Sequence, residues 1–438
     1  MQKKINQELL EFLQKSPTAY QTVENVKEAL DAAGFAALVE GEDWTLKPGG
    51  RYYVTRNASS IICFTVGVRT KDCNFQIAAA HTDSPAFKIK ENAELHMADK
   101  YAKLNTEGYG GMICSTWLDR PLSVAGRVLV RSTGGGIESR LLNIDRDLLL
   151  IPNAAIHMNR QVNEGFAFNK QVDMLPLFGA GSKEGAFRTL LAKELKVKEE
   201  DILGSDLFLY SRVAPTVWGI EEEFISGPHL DDLQCVFGIL KGFLAAGKES
   251  GINVAAFFDN EEVGSGTRQG AASTFLDDVL CRISRGLGMS ENEYRKALAS
   301  SFMISADNAH AVHPNHPEYT DANNHCYMNE GVVVKSHAGQ KYTSDGLSIA
   351  VLRELARRAE VPLQYFANRS DKNGGSTLGN IATTRVSVPC VDIGLPQLAM
   401  HSSYETAGSG DTISLIRLME EFYRTRILMK GDGSIRFD

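Results

Sequence analysis

Short apolar runs recur along the chain and predict the buried strands of a sheet. The clearest run covers residues 254–258, and similar runs lie at 301–306, 332–335 and 388–393. A strand that is covered on both faces is continuously apolar, whereas a half-exposed strand alternates apolar and polar residues. These runs therefore predict a parallel sheet with helices on both faces, as in α/β proteins.

Helices are predicted before, between and after these strands. The N-terminus has two stretches with apolar residues at helical spacing, and the second stretch ends at Gly34. Residues 344–359 and 411–428 show the same spacing. Further strands are predicted at 51–55 and 60–66.

The pattern changes between residues 91 and 222. Here short alternating runs replace the long helical ones, and only residues 184–195 have helical spacing. Glycine clusters at 108–111 and 134–136 lack the spacing of phosphate-binding loops, so we interpret them as hairpin turns. The sequence thus predicts a β-rich domain (91–222) inserted between two parts of an α/β domain (1–90 and 223–438).

Two adjacent acids, Glu261 and Glu262, follow the strand predicted at 254–258. Ligands of open α/β sheets bind beyond the carboxyl ends of the strands, which places both carboxylates well for chemistry. Neighbouring side chains at a strand end point in different directions. We therefore expect one carboxylate to bind a metal and the other to hold and deprotonate a water. The alternative is a solvated acidic turn.

A histidine and a second pair of acids lie at comparable positions. The strand predicted at 75–80 leads into His81 and Asp83, and Asp83 is placed to orient the imidazole of a metal-binding histidine. Asp231 and Asp232 open a predicted helix. Their alternative roles are surface or capping contacts, since a carboxylate that begins a helix often caps the backbone amides.

Asp307 follows the strand at 301–306, and a final histidine follows the last strand, so that a single sheet could aim five ligands at one edge: His81, Asp231, Glu262, Asp307 and His401. Carboxylates with imidazoles and no thiolate suit zinc, with cobalt or manganese as alternatives. Five ligands exceed the needs of one tetrahedral zinc but suffice for two metals if one carboxylate bridges them.

Composition and charge narrow the classes of protein to which this sequence could belong. A chain of 438 residues with a formal net charge of -8 is not expected to bind nucleic acid, which requires a basic face. No apolar stretch approaches the ~20 residues of a membrane span, and none follows the N-terminus as an export signal. The seven cysteines are scattered and lack Cys-x-x-Cys spacing, which is typical of a reduced, cytoplasmic protein.

Five segments, in order along nearly the whole chain, resemble those of the M18 metallopeptidases, the aspartyl aminopeptidase-like enzymes. They are His81-Thr82-Asp83-Ser84-Pro85, Leu230-Asp231-Asp232-Leu233, Asp259-Asn260-Glu261-Glu262-Val263-Gly264-Ser265, Ser305-Ala306-Asp307 and Gln397-Leu398-Ala399-Met400-His401-Ser402. The resemblance implies a mixed, mainly parallel central sheet flanked by helices and an inserted dimerisation or lid domain.

The resemblance also implies roles for the site residues. One metal ion would bind His81, Asp231 and Asp307, and the other would bind Asp231, Glu262 and His401, with Asp231 as the bridge. Asp83 would orient His81. As a hypothesis, Glu261 is the general base of an aminopeptidase that removes an acidic or neutral N-terminal residue from peptides.

Two more residues follow from the resemblance alone. His157 would reach from the inserted domain into the active site of a neighbouring subunit, and Lys335 would lie near the substrate. The family also implies a tetrahedral shell of twelve subunits that admits peptides with a free N-terminus. His313, His316 and His325 lie in a Pro- and Asn-rich segment, and we predict that they are loop residues.

Two other functions are compatible with these residues. A related two-metal hydrolase, such as a carboxypeptidase or an N-acyl amino-acid deacylase, shares the His-x-Asp and Glu-Glu pattern. A non-catalytic, self-assembling shell protein would lack a ligand or have another residue in place of Glu261, but this sequence has them all.

Overall fold

A computed structural model describes residues 1–69, 73–181, 183–247 and 251–438. This described part contains nine α-helices: α1 (Gln2–Lys15), α2 (Ala19–Ala32), α3 (Ala186–Leu195), α4 (Leu230–Ala245), α5 (Phe275–Gly286), α6 (Glu291–Ala299), α7 (Gly346–Ala359), α8 (Leu378–Ala382) and α9 (Asp411–Arg424). Across the described ranges, none of these helices has the length and apolar character that a bilayer crossing requires.

The strands form a large sheet, two smaller sheets and a C-terminal hairpin. They are β1 (Ala36–Leu38), β2 (Arg51–Arg56), β3 (Ser60–Val66), β4 (Phe75–His81), β5 (Ala86–Met97), β6 (Tyr101–Tyr109), β7 (Leu122–Arg131), β8 (Ile137–Asn143), β9 (Leu177–Ala180), β10 (Ile202–Ser211), β11 (Thr216–Trp218), β12 (Phe224–Gly227), β13 (Ile252–Phe258), β14 (Phe302–Ala306), β15 (Ala309–His310), β16 (Val332–Lys335), β17 (Leu363–Phe366), β18 (Cys390–Gly394), β19 (Pro396–Leu398), β20 (Glu405–Gly408), β21 (Ile427–Met429) and β22 (Ile435–Phe437).

The large sheet has nine strands in the order β1-β2-β3-β13-β4-β14-β18-β16-β17. Five neighbouring pairs are parallel, including β13 with β4 and β4 with β14, and three pairs are antiparallel. Strands β3, β4, β13 and β14 are buried along their whole length because helices cover both faces. Continuous apolar runs in the sequence reflect this double coverage.

The second sheet is antiparallel and has six strands in the order β8-β7-β10-β5-β6-β9. Its strands come from between Ala86 and Ser211, and helix α3 packs against it. This sheet has a core of its own, in which the buried ring of Phe87 meets Trp117 edge-on at 5.3 Å between centroids. We call it the inserted sheet.

A third sheet of five short strands, β11-β12-β20-β19-β15, lies next to the large one. Three of its strands border chemically interesting residues: β12 precedes α4, β15 follows Asp307, and β19 precedes His401. Strands of two to four residues are too short to show a period in the sequence, and this sheet was not predicted.

The α/β fold with a β-rich insertion is confirmed, whereas the domain boundaries at residues 90 and 222 stay a prediction. Among the helices, the last differs most from its predicted end. The last helix stops at Arg424, before the predicted Leu428, because Thr425 has an extended backbone and Ile427–Met429 pairs with Ile435–Phe437.

Candidate metal centre

Three parallel strands deliver three of the five predicted ligands to one edge of the large sheet. Strand β4 ends at His81, which lies opposite Phe258, the last residue of the neighbouring β13. Strand β14 pairs with the other side of β4 and ends just before Asp307. Beyond β13, the chain makes a short 3-10 turn, Glu261–Val263, that carries both glutamates. The three residues therefore lie at the carboxyl ends of neighbouring parallel strands, where α/β sheets bind their ligands.

The other two residues follow strands of the third sheet and not of the large one. Asp231 lies in the first turn of α4, directly after β12, and a cis peptide bond joins it to Asp232. His401 follows β19 and has a left-handed backbone conformation with φ of 67°. Elements of two adjoining sheets therefore position the five side chains, whereas the sequence predicts that a single sheet aims them all.

Together these elements bring the five residues into two triads that share Asp231. His81, Asp231 and Asp307 form the first triad, in which the potential ligand atoms lie within 4.8 Å of one another. Asp231, Glu262 and His401 form the second, within the same limit. His81 Nε2 is 3.7 Å from Asp231 Oδ1, and His401 Nε2 is 3.3 Å from Asp231 Oδ2. Asp231 thus lies between the two imidazoles.

The Nδ1 atom of each imidazole, on the far side of the ring from Asp231, faces a carbonyl oxygen. A carbonyl oxygen can only accept a hydrogen bond. His81 Nδ1 lies 3.0 Å from the Asp83 carbonyl, and His401 Nδ1 lies 2.7 Å from the Gly111 carbonyl. In a neutral ring, Nδ1 therefore carries the proton, and Nε2 keeps its lone pair for a metal. The Nε2 atom of His401 is also 3.4 Å from Glu262 Oε1.

Asp83 ties the His81 segment to the Glu-Glu turn. The backbone N–H groups of Glu261 and Glu262 donate to its two carboxylate oxygens, each at 3.1 Å. Its Oδ1 atom is also 3.5 Å from His81 Nδ1. The aspartate is 4% exposed, so these contacts are shielded from solvent. This arrangement agrees with the predicted orienting role, which stays a prediction.

Two buried acids near the centre were not foreseen as site residues. Glu405 accepts hydrogen bonds from the backbone N–H of Asp231, at 2.9 Å, and of His401, at 2.7 Å. Asp232 Oδ2 accepts one from the backbone N–H of His81 at 3.2 Å. Each acts on the backbone of a predicted ligand. The only sign of Glu405 in the sequence is that it lies four residues after His401, and this spacing is not distinctive of a site residue.

Burial and crowding of these acids change their protonation. Burial raises the pKa of Glu261 to about 8; His81 opposes this shift, while Asp307 and Asp83 add to it. Burial and the charge of Asp231 likewise raise the pKa of Glu405 to about 8, against its two backbone donors. Burial would raise the pKa of Asp231, but the neighbouring imidazoles of His401 and His81 outweigh burial and hold this pKa below its usual value.

The residues present fit a pair of divalent cations. Asp231 Oδ1 and Glu262 Oε1 are buried without a hydrogen-bond donor anywhere in the described ranges. A buried carboxylate oxygen is costly unless a donor or a cation compensates it. Both orphaned oxygens belong to the triads, and both Nε2 atoms face carboxylates. Oxygen and imidazole nitrogen are the donors of zinc in sites that lack thiolates.

Lys335 and His157 occupy different surroundings. Lys335 is 3% exposed, donates to the Asn308 carbonyl at 3.1 Å and lies 3.5 Å from Asp307 Oδ1. It therefore borders the first triad. His157 is exposed, and no hydrogen bond or ion pair between described residues joins it to either triad. The rings of the loop histidines His313 and His316 lie 5.2 Å apart between centroids, at a tilt of 35° and outside the triads.

The family model of the aminopeptidase I zinc metalloproteases (M18) matches residues 12–423. The chain belongs to the M18 family. The resemblance seen in the five sequence segments is thereby confirmed, and the protein is a metallo-aminopeptidase.

M18 relatives cover almost the whole chain. A protein of Clostridium acetobutylicum, named probable M18 family aminopeptidase 2, is 48% identical over 95% of this chain and 97% of its own. The structure of the Ape4 and Nbr1 complex matches with a TM-score of 0.93 at 36% identity, over 97% of this chain and 86% of that one. The S. cerevisiae mApe1 dodecamer matches with a TM-score of 0.83 at 26% identity, over 96% of both chains.

Proposed function

We propose that this M18 aminopeptidase uses two zinc ions and the general base Glu261 to remove an acidic or neutral N-terminal residue from peptides. The observation that supports this most directly is the pair of triads that share Asp231. One carboxylate between two imidazole-containing sets is the arrangement of ligands that would suit a bridged pair of metals.

His81, Asp231 and Asp307 would hold one ion, and Asp231, Glu262 and His401 would hold the other. When bound, such ions polarise the scissile carbonyl and make a water acidic enough to be deprotonated near neutral pH. Cobalt and manganese suit the same nitrogen and oxygen donors, so they are alternatives to zinc.

Glu261 would move the proton. Its side chain can approach His81 and Glu262 within 4.8 Å, yet it belongs to neither of the triads that share Asp231. It would accept a proton from the attacking water and return it to the amine that leaves. Its half-buried position beside the centre keeps the carboxylate within reach of both events.

A cavity of about 320 Å³ next to the centre would receive the side chain of the N-terminal residue. Its walls include His310, which follows Asp307 by three residues, and Met400, which precedes His401. Arg369, Lys372 and Gln397 also line it, and the side-chain amide N–H of Gln397 has no acceptor within the described part of the chain. Arg369 is already paired with Asp371 at 2.8 Å, so Lys372 and Gln397 are the donors that would favour an acidic side chain over a neutral one. Lys335 would bind the substrate from the buried side.

We further propose that the protein assembles into a tetrahedral shell of twelve subunits, like the mApe1 dodecamer, which it resembles in fold. The exposed position of His157 supports a role in the site of a neighbouring subunit. The buried thiols of Cys63, Cys235 and Cys390 suit a cytoplasmic protein, and the net charge of -8 argues against nucleic acid as a partner.

The proposal is tested by hydrolysis of aminoacyl p-nitroanilides and short peptides with acidic, neutral and basic N-terminal residues. Each assay is run with chelator, and again after zinc, cobalt or manganese is restored. We expect chelator-sensitive release of the N-terminal residue alone, fastest from peptides that begin with Asp or Glu. Release only from peptides with a blocked amine would instead support the deacylase. No release by assembled, metal-loaded protein would support the non-catalytic shell.

A further inference from the structure

One short segment of the inserted sheet reaches the metal centre on both sides. We call residues 109–111, at the end of β6, the bridging segment. On the His81 side, the hydroxyl of Tyr109 donates to Asp83 Oδ2 at 2.6 Å. Asp83 is the residue whose carbonyl faces His81 Nδ1 and whose oxygens hold the backbone of the Glu-Glu turn. Tyr109 therefore acts on the site through Asp83.

On the other side, the bridging segment contacts the second imidazole directly. The Gly111 carbonyl accepts the hydrogen bond of His401 Nδ1 at 2.7 Å, and the nearby Ile113 N–H donates to the His401 carbonyl at 3.0 Å. Between these contacts, Gly110 has φ of 73°, and a Cβ there would lie 3.1 Å from Glu262 Cβ. A side chain at this position would be strained by the left-handed backbone and would crowd Glu262.

Tyr109 is itself held firmly. The side-chain amide of Asn260 donates to its hydroxyl at 2.9 Å, and the Oδ1 of that amide accepts from Thr267 and Gln269. The Tyr109 ring meets Phe208 of the inserted sheet edge-on at 5.5 Å between centroids. With its ring fixed by one sheet and its hydroxyl fixed beside the other, the tyrosine transmits the position of the inserted sheet to Asp83.

We propose that Tyr109 is a positioning residue, through which the inserted sheet sets the orientation of His81 and thereby the affinity of the centre for zinc. The Gly111 carbonyl does the same for His401. The inference rests on the proposed function, because it takes both imidazoles as zinc ligands. Some residues hold a metal-binding histidine through the ring nitrogen that does not bind the metal. Loss of such a residue typically weakens metal affinity by about 10- to 100-fold.

The test is the Tyr109→Phe variant of the full chain, which removes one hydroxyl and keeps the ring against Phe208. Zinc affinity is measured by competition with a chromophoric chelator, alongside kcat and KM for the best peptide substrate. We expect zinc affinity about 10- to 100-fold weaker than in the parent. At saturating zinc, kcat falls and KM stays close to the parent value, because Tyr109 orients the centre and does not touch the substrate.

Tyr210→Phe is the matched control. This tyrosine belongs to the same sheet and is buried, and its hydroxyl donates to Asn143 Oδ1 at 2.7 Å, away from the centre. A purely structural role for Tyr109 predicts equal zinc affinities for the two variants. Parental zinc affinity in Tyr109→Phe overturns the positioning role, whatever the activity. A parent protein that binds zinc but releases no N-terminal residue contradicts the proposed function alone, and one that binds no zinc contradicts both.

Discussion

At the scale of single residues, the two adjacent glutamates show how the backbone separates their roles. Asn260 enters the turn with φ of 65°, and the N–H groups of both glutamates are held by Asp83. The side chain of Glu262 is 4% exposed and its Oε1 points at His401 Nε2, 3.4 Å away. Glu261 lies within 4.8 Å of His81 but outside the triads that share Asp231. The turn thus places a predicted ligand and a predicted base side by side.

The Glu261→Gln variant is expected to keep its zinc and lose its turnover. Glutamine fills the same space, and the substitution leaves both triads intact, but the amide cannot take a proton from water. Loss of a general base typically lowers kcat by about 10²- to 10⁴-fold. Zinc per subunit is measured by elemental analysis, and kcat with the best substrate. Glu262→Gln is the comparison, since it should lose zinc as well. Near-parental kcat in Glu261→Gln would remove that residue from the role.

The sequence predicted the candidate metal ligands more readily than the residues that position them. His81, Glu262 and Asp307 could be found because each follows an apolar strand, and strand ends meet at one edge of a sheet. Glu405 and Tyr109 act through backbone amides and through Asp83, from elements that are far away in sequence. Spacing along the chain carries no signal for such contacts. Only the folded arrangement shows them.

At the scale of elements, long apolar patterns predict the large sheet and most of its helices. They do not predict the short strands or the helix ends. The third sheet has strands of two to four residues, held by pairing with partners such as β12 with β20 across about 180 residues. The helix that begins at Asp411 ends early because a strand pairing competes for the residues after it. Tertiary partners decide such short or terminal segments, and local propensity does not.

The contact between α4 and α9 offers a test of close packing. Gly242 on α4 lies against α9, where a Cβ would stand 2.5 Å from Met419 Cβ and 2.9 Å from the Ile416 carbonyl oxygen. Since backbone atoms cannot yield, Gly242→Ala is expected to destabilise the protein by about 1–3 kcal/mol. The measurement is the midpoint of thermal unfolding, with zinc content matched to the parent.

Gly346→Ala is the control for that prediction. Gly346 begins α7 after the capping residue Asp345, and a Cβ there meets nothing within 4 Å. Alanine at an unhindered helical position is expected to leave the stability unchanged or to raise it by up to about 1 kcal/mol. Equal midpoints for the two variants would show that α4 and α9 can move apart to accept a methyl group, and that the close approach is not required.

At the scale of the whole molecule, the inserted sheet contacts the metal centre of its own chain. It is also proposed to contribute a residue to the centre of a neighbouring subunit. Its bridging segment contacts Asp83 and His401 of the same chain. His157, on an exposed stretch between β8 and β9, contacts neither triad in its own chain within the described ranges. A histidine that acts in a neighbour's site would look like this in a single chain, and would complete that site only in the assembly.

Mixed assemblies test whether His157 acts between subunits. The His157→Ala variant is expected to bind zinc normally but to have a lower kcat/KM, and Glu261→Gln is expected to be nearly inactive. When the two chains are co-expressed with different tags and purified together, some Glu261-containing sites receive the intact His157 of a Glu261→Gln neighbour. We therefore expect kcat/KM per intact Glu261 to rise above that of His157→Ala alone.

The control for mixing is His96→Ala, a histidine of the inserted sheet that pairs with Glu94, 3.4 Å away, in the same chain. Its own activity should stay near the parental value, and mixing with Glu261→Gln should only dilute it. If the His157→Ala mixture shows the same simple dilution, with no gain per intact Glu261, then His157 does not act across subunits. A gain confined to the His157→Ala mixture would require that the histidine and the base that it assists come from different chains, because neither parent assembly contains both in working form.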